Sequence, residues 1–557
     1  MKYSILAKTY EELEKESGKL KKVDILSNLL SKTPTELLPK VVILASGKVF
    51  PTYSELKTGV ATKMMMKAIS KATGISQNET VKKFKQFGDL GLVAEDCVKS
   101  KRQKVFFKKT LTVQIVFNNI QKLATITGFG SQEKKLNLIA ELLVSSEPVE
   151  ARYIVRTILE TMRIGVAEGI IRDSIAKVFN VNAKTVGNAW FLRADYGEIA
   201  RITKEGGARG LKRVKIELGK PIIIMLGEKS PTLKEALEKY EHSILEYKYD
   251  GMRTQIHKKG DKFWIFTRRL ENVTDQFPDL LKFAKEGIKV KNCIIEGEAI
   301  GFDPKTGSPI PFQQLSRRVQ RKYDISIMVK KIPVRIYLFD IVYLNGKTLF
   351  DKPYSERRRK LKKSIKVIPN KFELSHTLIT KDLKKAQKFY KASLKEKQEG
   401  LMVKNLDAKY QPGRRVGYWL KVKPIMETLE LVIVGAEWGK GKRSNWLSSF
   451  TLACRDPDTG DFLSVGKLGT GFTDEQFQEF TKKLKGLIIS EKGTELKTKP
   501  DFVVEVAYEE IQKSPKYEAG YALRFPRLQK IREDRRPEDC DTIDRVVELF
   551  KSQRKVG

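Results

Sequence analysis

Sulfur and imidazole are scarce in this chain. Four cysteines, Cys97, Cys293, Cys454 and Cys540, are scattered over 557 residues with no Cys-x-x-Cys pair. That spacing argues against a zinc module and fits a reducing compartment. The three histidines, His242, His257 and His376, stand alone, so acid–base chemistry through imidazole is not expected. No run of about 18 apolar residues occurs, so no membrane-spanning helix is expected. The opening residues, Met1 to Lys8, lack the apolar core of a secretory signal, and the expected location is the cytoplasm. Acidic residues are short too: 68 Asp plus Glu face 107 Lys plus Arg, a formal net charge of +39. This excess goes beyond the needs of solubility and points to a polyanionic partner bound with counterion release.

Enough apolar residue is present to fold, at 41%, which excludes a disordered chain. The length calls for roughly two to four domains. Charged residues make up 31%, rich in Lys and Glu, a composition shared with thermophile proteins.

The first third reads as helical. Asp24 is a candidate N-cap for a helix carrying Ile25, Leu26, Leu29 and Leu30 on one stripe. A second stripe runs through Ile154, Val155, Ile158, Leu159 and Met162, and these residues are expected in the core. Between Lys101 and Lys109, two adjacent phenylalanines, Phe106 and Phe107, sit among five basic residues. Two readings stand side by side: a buried aromatic pair, or a docking peptide. Gln103, Phe106 and Phe107 form a Gln-x-x-Phe-Phe pattern that resembles the box by which replication proteins engage the sliding clamp.

The middle of the chain turns to period-2 alternation broken by Gly and Pro, the pattern of an α+β domain. Its centre is Glu246-Tyr247-Lys248-Tyr249-Asp250-Gly251-Met252-Arg253. As a strand, this places Glu246, Lys248 and Asp250 on one face, with Gly251 freeing the turn. A lysine between two acids suits a nucleophile, since its amine reacts once its pKa is lowered. The Lys-x-Asp-Gly-x-Arg pattern resembles the nucleophile motif of the covalent nucleotidyltransferases, which include DNA ligases, RNA ligases and capping enzymes.

Further segments follow in order. Arg268 resembles the family arginine that meets the nucleotide sugar or nick phosphate. Glu296 and Glu298 share a strand face, and Glu298 matches the family acid for metal or ribose. Phe339 matches the aromatic that stacks on the purine, although packing explains it equally well. Glu399 matches a second metal-binding carboxylate. Arg415, Lys421 and Lys423 match the basic residues near the triphosphate; two like charges on one strand face repel unless an anion lies between them. After Pro424, short strands suggest a small barrel. Arg524 to Arg535 resembles the C-terminal motif that orients pyrophosphate, with Arg532 as the carried-over residue and Arg535 where the family has Lys.

Taken together, the chain resembles the archaeal-type ATP-dependent DNA ligases. The resemblance implies an all-α DNA-binding domain at 1–212, an α+β nucleotidyltransferase domain at 213–424 and an all-β OB-fold domain at 425–557. It implies Lys248 as the adenylated nucleophile and Glu246 and Arg253 among the nucleotide contacts. ATP and Mg2+ or Mn2+ are the implied cofactors, and nicked duplex DNA the implied partner. A monomer associated with the nucleoid, working in replication, repair and recombination, is expected. An RNA ligase or capping enzyme shares the motif but not the helical first third. A catalytically silent DNA-tethering protein would not need Lys248, Glu298, Glu399 and Lys421 together.

Overall fold

A computed structural model describes the chain except residues 52, 55, 102–108, 320–323, 414, 425–426, 440–444, 493–494 and 554–557. The side chains of Arg415 and Lys492 are likewise outside the description. Gln103, Phe106 and Phe107 therefore lie outside the described residues. The chain divides into two compact units: Met1–Lys381 with Met402–Lys421, and Asp382–Leu401 with Val422–Gly557. No described helix is long and apolar enough to cross a membrane.

The first unit begins with helices, from Tyr3–Lys15 to Tyr196–Lys212. Several starts are set by side-chain caps that satisfy orphan N–H groups: Ser76, Asp89, Thr112 and Asn182 each accept from a first-turn amide. Asp24 is not one of them. The helix Lys19–Ser31 starts earlier, after Gly18, and Asp24 sits inside it, paired with Lys177 at 2.5 Å. Leu26, Leu29 and Leu30 are buried as the stripe requires, and so are Ile154, Val155, Ile158 and Met162.

Two sheets follow. Their strands are β1 (Leu226–Lys229), β2 (Ser243–Tyr247), β3 (Met252–Lys259), β4 (Lys262–Thr267), β5 (Asn292–Gly301) and β6 (Val334–Leu344). Then come β7 (Lys347–Thr348), β8 (Phe372–Leu374), β9 (Thr377–Ile379), β10 (Leu401–Asn405) and β11 (Arg415–Val422). One sheet has the order β1-β11-β10-β2-β9, the other β4-β3-β5-β6-β7 with β8 beside β6. Ile244 and Trp419 from the first sheet pack with Ile294, Phe339 and Val342 from the second in one apolar cluster.

The chain passes from the first sheet to the second between β2 and β3. Lys248 lies on this crossover, not on the strand that alternation predicts, because β2 ends at Tyr247. Packing explains the glycine that follows. A Cβ on Gly251 would stand 2.4 Å from the Ala299 carbonyl oxygen of β5, a backbone atom that cannot step aside.

The second unit is strand-rich, as its short alternating runs suggest. It contains β12 (Leu429–Trp438), β13 (Leu447–Arg455), β14 (Phe462–Leu468), β15 (Ile488–Lys492), β16 (Glu495–Thr498), β17 (Val503–Ala507), β18 (Glu510–Lys513), β19 (Tyr521–Arg524) and β20 (Arg527–Ile531). β12 organises the sheet: β13 lines one edge, while β17 pairs with its first half and β16 with its second. Phe450, Phe477 and Phe480 fill the core beneath, the last two from the helix Asp474–Lys485. Thr473 and Gln476 close that helix start as a reciprocal capping box.

The first unit also carries a buried ion pair behind Phe339. Arg357 donates to both oxygens of Asp340, at 2.9 and 3.0 Å, and to the carbonyls of Lys352 and Ala408. Both side chains are fully buried. Burial pushes the Asp340 carboxyl up and Arg357 opposes it. Arg357→Ala leaves that carboxylate alone and is expected to destabilise the unit by about 3–5 kcal/mol. Adding Asp340→Asn should recover part of the loss; denaturant unfolding of both variants checks this.

Candidate active site

The site is built around a buried carboxylate. Glu246, on β2, is buried, and four side chains from three other segments surround it. The Lys404 amine of β10 donates to it at 2.7 Å. The Tyr354 hydroxyl, from the helix Tyr354–Ser364, donates to it, and the Ser375 hydroxyl does so at 3.2 Å. Arg358 stands 3.8 Å away and holds Ser375 in turn, donating to its hydroxyl at 2.7 Å. Burial alone would raise the Glu246 carboxyl, but Lys404 and Arg358 outweigh it and hold the group below the ordinary carboxylate range. Lys404 has less support. Burial pushes its amine down, with Glu246 and Asp340 opposing. Its ammonium lies 4.3 Å from the Phe339 ring centre, 4.4 Å from that of Trp419 and 4.9 Å from that of Tyr354.

Arg253, at the start of β3, extends the wall. It donates to the Met225 carbonyl and to Glu296, both at 2.8 Å, and lies over Phe339 and Trp419. Glu296 is fully buried and accepts from the Tyr410 hydroxyl at 2.8 Å as well. Glu298 pairs across the ladder with Arg253, and its stem reaches Gly251 beneath the crossover. Two N–H donors here, Arg253 Nε and Trp419 Nε1, are buried without a hydrogen-bond partner. Buried donors are normally satisfied, so a bound acceptor fits this wall.

Lys248 is half-buried on the crossover between Glu246 and Arg253. Lys421, on β11, stands in register with Lys229 of β1 and runs its stem past Gly227. Phe339 lies in the aromatic cluster, and Arg268 is exposed just beyond β4. Arg415 begins β11. The first unit therefore gathers Glu246, Arg253, Glu298 and Phe339 on the strands of its two sheets, with Lys248 on the crossover between them.

Other expected residues are engaged elsewhere. Lys423 lies past the end of β11, in the second unit, and binds Glu399 at 2.8 Å and Glu509 at 3.6 Å. Arg532 binds Glu430 and grips Asp534 through two nitrogens, at 2.9 and 2.7 Å. Arg535 stands 3.4 Å from the same Glu430. Among the described residues, no three His, Cys, Asp or Glu side chains gather as a metal cage.

Comparison with known proteins agrees with this architecture. A model described as DNA ligase N terminus matches residues 2–176, ATP dependent DNA ligase domain matches 224–423, and ATP dependent DNA ligase C terminal region matches 443–535. The DNA ligase of Nanoarchaeum equitans is 47% identical over all of this chain and 99% of that protein. That of Thermococcus onnurineus is 46% identical over 100% and 99%, and that of Archaeoglobus fulgidus 41% over 100% of both. The solved structure named Pmar-Lig_PreS3 shares the fold, with a TM-score of 0.58 over 95% of this chain and 99% of that one at 17% identity. The chain belongs to the ATP-dependent DNA ligases, enzymes that join DNA by way of an enzyme-adenylate, and ATP is its nucleotide substrate.

The Glu246 network has a pH signature. A depressed carboxyl pKa contributes stability above the unfolded value, near 4.5, and loses it as pH falls through the folded value. Lys404→Met removes the main opposing cation, so burial then raises the Glu246 carboxyl and stability falls as pH rises. The melting-temperature gap between wild type and Lys404→Met should widen from about pH 3 to pH 7. A gap independent of pH removes the assignment.

Proposed function

We propose that Lys248 is the adenylated residue and that the enzyme seals nicks in duplex DNA in three displacements. The neutral Nζ of Lys248 attacks the α-phosphorus of ATP; an N–P bond forms, the bond to pyrophosphate breaks, and the amine loses its proton. An oxygen of the 5′-phosphate at the nick then attacks the lysyl-AMP phosphorus; a P–O–P bond forms, the N–P bond breaks, and the Lys248 nitrogen takes up a proton from solvent. The 3′-hydroxyl attacks that phosphate, AMP leaves, and the strand is continuous. The observation that carries this reading is the position of Lys248: on the crossover, between the buried Glu246 and Arg253.

The other roles follow the same pocket. Glu246 and Phe339 face the base, with Phe339 already part of an aromatic wall. Arg253 and Arg268 serve the sugar and α-phosphate. Lys421 and Arg415, with Lys423 once it leaves Glu399, balance the triphosphate charge. Arg532 orients the pyrophosphate after exchanging Glu430 and Asp534 for it. A divalent ion, Mg2+ or Mn2+, would be held by Glu298 and by Glu399, and would neutralise phosphate oxygens. The division into a DNA-binding domain at 1–212, an adenylation domain at 213–424 and an OB-fold domain at 425–557 belongs to this proposal, as do a monomeric state and association with the nucleoid. The charge of +39 supports binding to phosphates without sequence choice.

Lys248→Arg keeps the charge but cannot give up its proton at working pH, so labelling by α-labelled ATP should vanish. Labelling that survives means another residue accepts AMP. A separate partner, the sliding clamp, is proposed to bind Gln103, Phe106 and Phe107. Phe106→Ala with Phe107→Ala should abolish stimulation by the clamp and leave unstimulated joining intact. Titration of clamp against the double variant checks this, and unchanged affinity rejects it.

A further inference from the structure

Lys248 is bracketed by one residue that takes no part in the chemistry above. On its N-terminal side, the Tyr247 N–H donates to the His376 carbonyl at 3.2 Å. On its C-terminal side, the His376 N–H donates to the Tyr249 hydroxyl at 2.9 Å. His376 lies between β8, which pairs with β6 in the second sheet, and β9, which pairs with β2 in the first. The chain thus crosses between the same two sheets twice, and the two crossings bond to each other on either side of the lysine. The rings complete the brace. Tyr249 stacks on Tyr337 of β6, with centroids 4.3 Å apart and planes within 7°. The His376 imidazole meets Tyr247 and Tyr337 edge-on, at 5.2 and 5.7 Å. Tyr249 is buried, so its hydroxyl holds its place in the brace with little freedom.

We propose that Tyr249 is a positioning residue for the adenylation step: its hydroxyl and ring fix the backbone from which the Lys248 side chain reaches its target. This rests on the assignment of Lys248 as the AMP acceptor. The physical need is plain. A lysine side chain has about 2 kcal/mol of rotamer entropy to lose. A misplacement of about 1 Å in a reacting group can cost roughly 100-fold in rate. A fixed root shortens the search for the in-line geometry.

Tyr249→Phe in the full-length enzyme keeps the stack and removes the acceptor. One hydrogen bond of ordinary strength corresponds to a fall of roughly 3–10-fold. Single-turnover self-adenylation should fall by that factor, with KM for ATP changed less than about twofold. Tyr249→Leu, which also removes the stack, should fall further. Sealing of a pre-adenylated nick is measured beside it, because that step needs no attack by Lys248. The ratio of self-adenylation to sealing should drop several-fold in both variants. A proportional loss in both steps makes Tyr249 a folding residue and overturns the proposal; an unchanged self-adenylation rate also overturns it. Lys248→Arg in the same series separates the two levels. If it still labels, the underlying assignment fails; if it is silent while Tyr249→Phe labels at the wild-type rate, only the role of Tyr249 falls.

Discussion

A carboxylate ionised inside a protein core is costly unless cations and hydrogen-bond donors surround it. Glu246 meets that condition through Lys404, Arg358, Tyr354 and Ser375, which arrive from a strand, a helix and a sheet crossing. None of these elements can shift without leaving the charge exposed to an apolar interior. The network therefore ties β2, β10 and the helix Tyr354–Ser364 into one frame. Replacing a buried pair with packed apolar groups is often neutral or stabilising, so stability alone does not explain keeping it. The proposed nucleotide site gives a reason to keep it: a polar edge inside a cage of Phe339, Tyr354 and Trp419 suits a heteroaromatic base, which needs both a face and a hydrogen-bonding rim.

The same frame sets where the lysine can stand. A continued strand would have sent the Lys248 side chain to one face of the sheet. The change of sheet after Tyr247 releases it from the ladder, and the close approach of Gly251 to β5 sets how tightly the chain turns. Sequence alternation carried the strand reading past its end because Tyr247 and Tyr249 are both buried, as alternate residues on a strand would be. Here they are buried for another reason: the Tyr247 ring meets His376 of the second crossing, and the Tyr249 ring stacks on Tyr337 of β6.

Fold class was legible because each region's pattern is local. Helical stripes, capped starts and short alternating strands are visible in windows of a dozen residues. Asp24 was misread because an acid can pair across helices as readily as cap one, and its partner Lys177 is far away in sequence. The supporting half of the site was hidden for a related reason. Lys404 ends a short apolar run and reads as an exposed strand end; only the pairing of β10 beside β2 brings it to Glu246. Arg357 and Arg358 lie in the run Glu356-Arg357-Arg358-Arg359-Lys360, which reads as a solvated helix face, yet one is fully buried and the other largely so. Motif residues are found by spacing, but the groups that hold them are found only by folding.

The ion pairs also rank how readily each cation can meet a phosphate. Arg253 faces a fully buried Glu296 and is itself largely buried, so losing that partner would strand a charge in the core. The partners of Lys423 and Arg532 (Glu399, Glu430 and Asp534) reach solvent, so a carboxylate released from them is not stranded in the core. In the proposed site, an incoming triphosphate exchanges with those carboxylates more readily than with the fully buried Glu296. For the proposed chemistry this divides the cations into a fixed set and a mobile set. Arg253 is held in place by Glu296 without any ligand, and its unpartnered Nε–H can still donate to a ligand oxygen without breaking the bond to Glu296. Lys423 and Arg532 already carry counter-ions of their own, so the free enzyme does not present their full charge to DNA phosphates. Their attraction becomes available where a stronger anion, such as a polyphosphate, outcompetes a carboxylate.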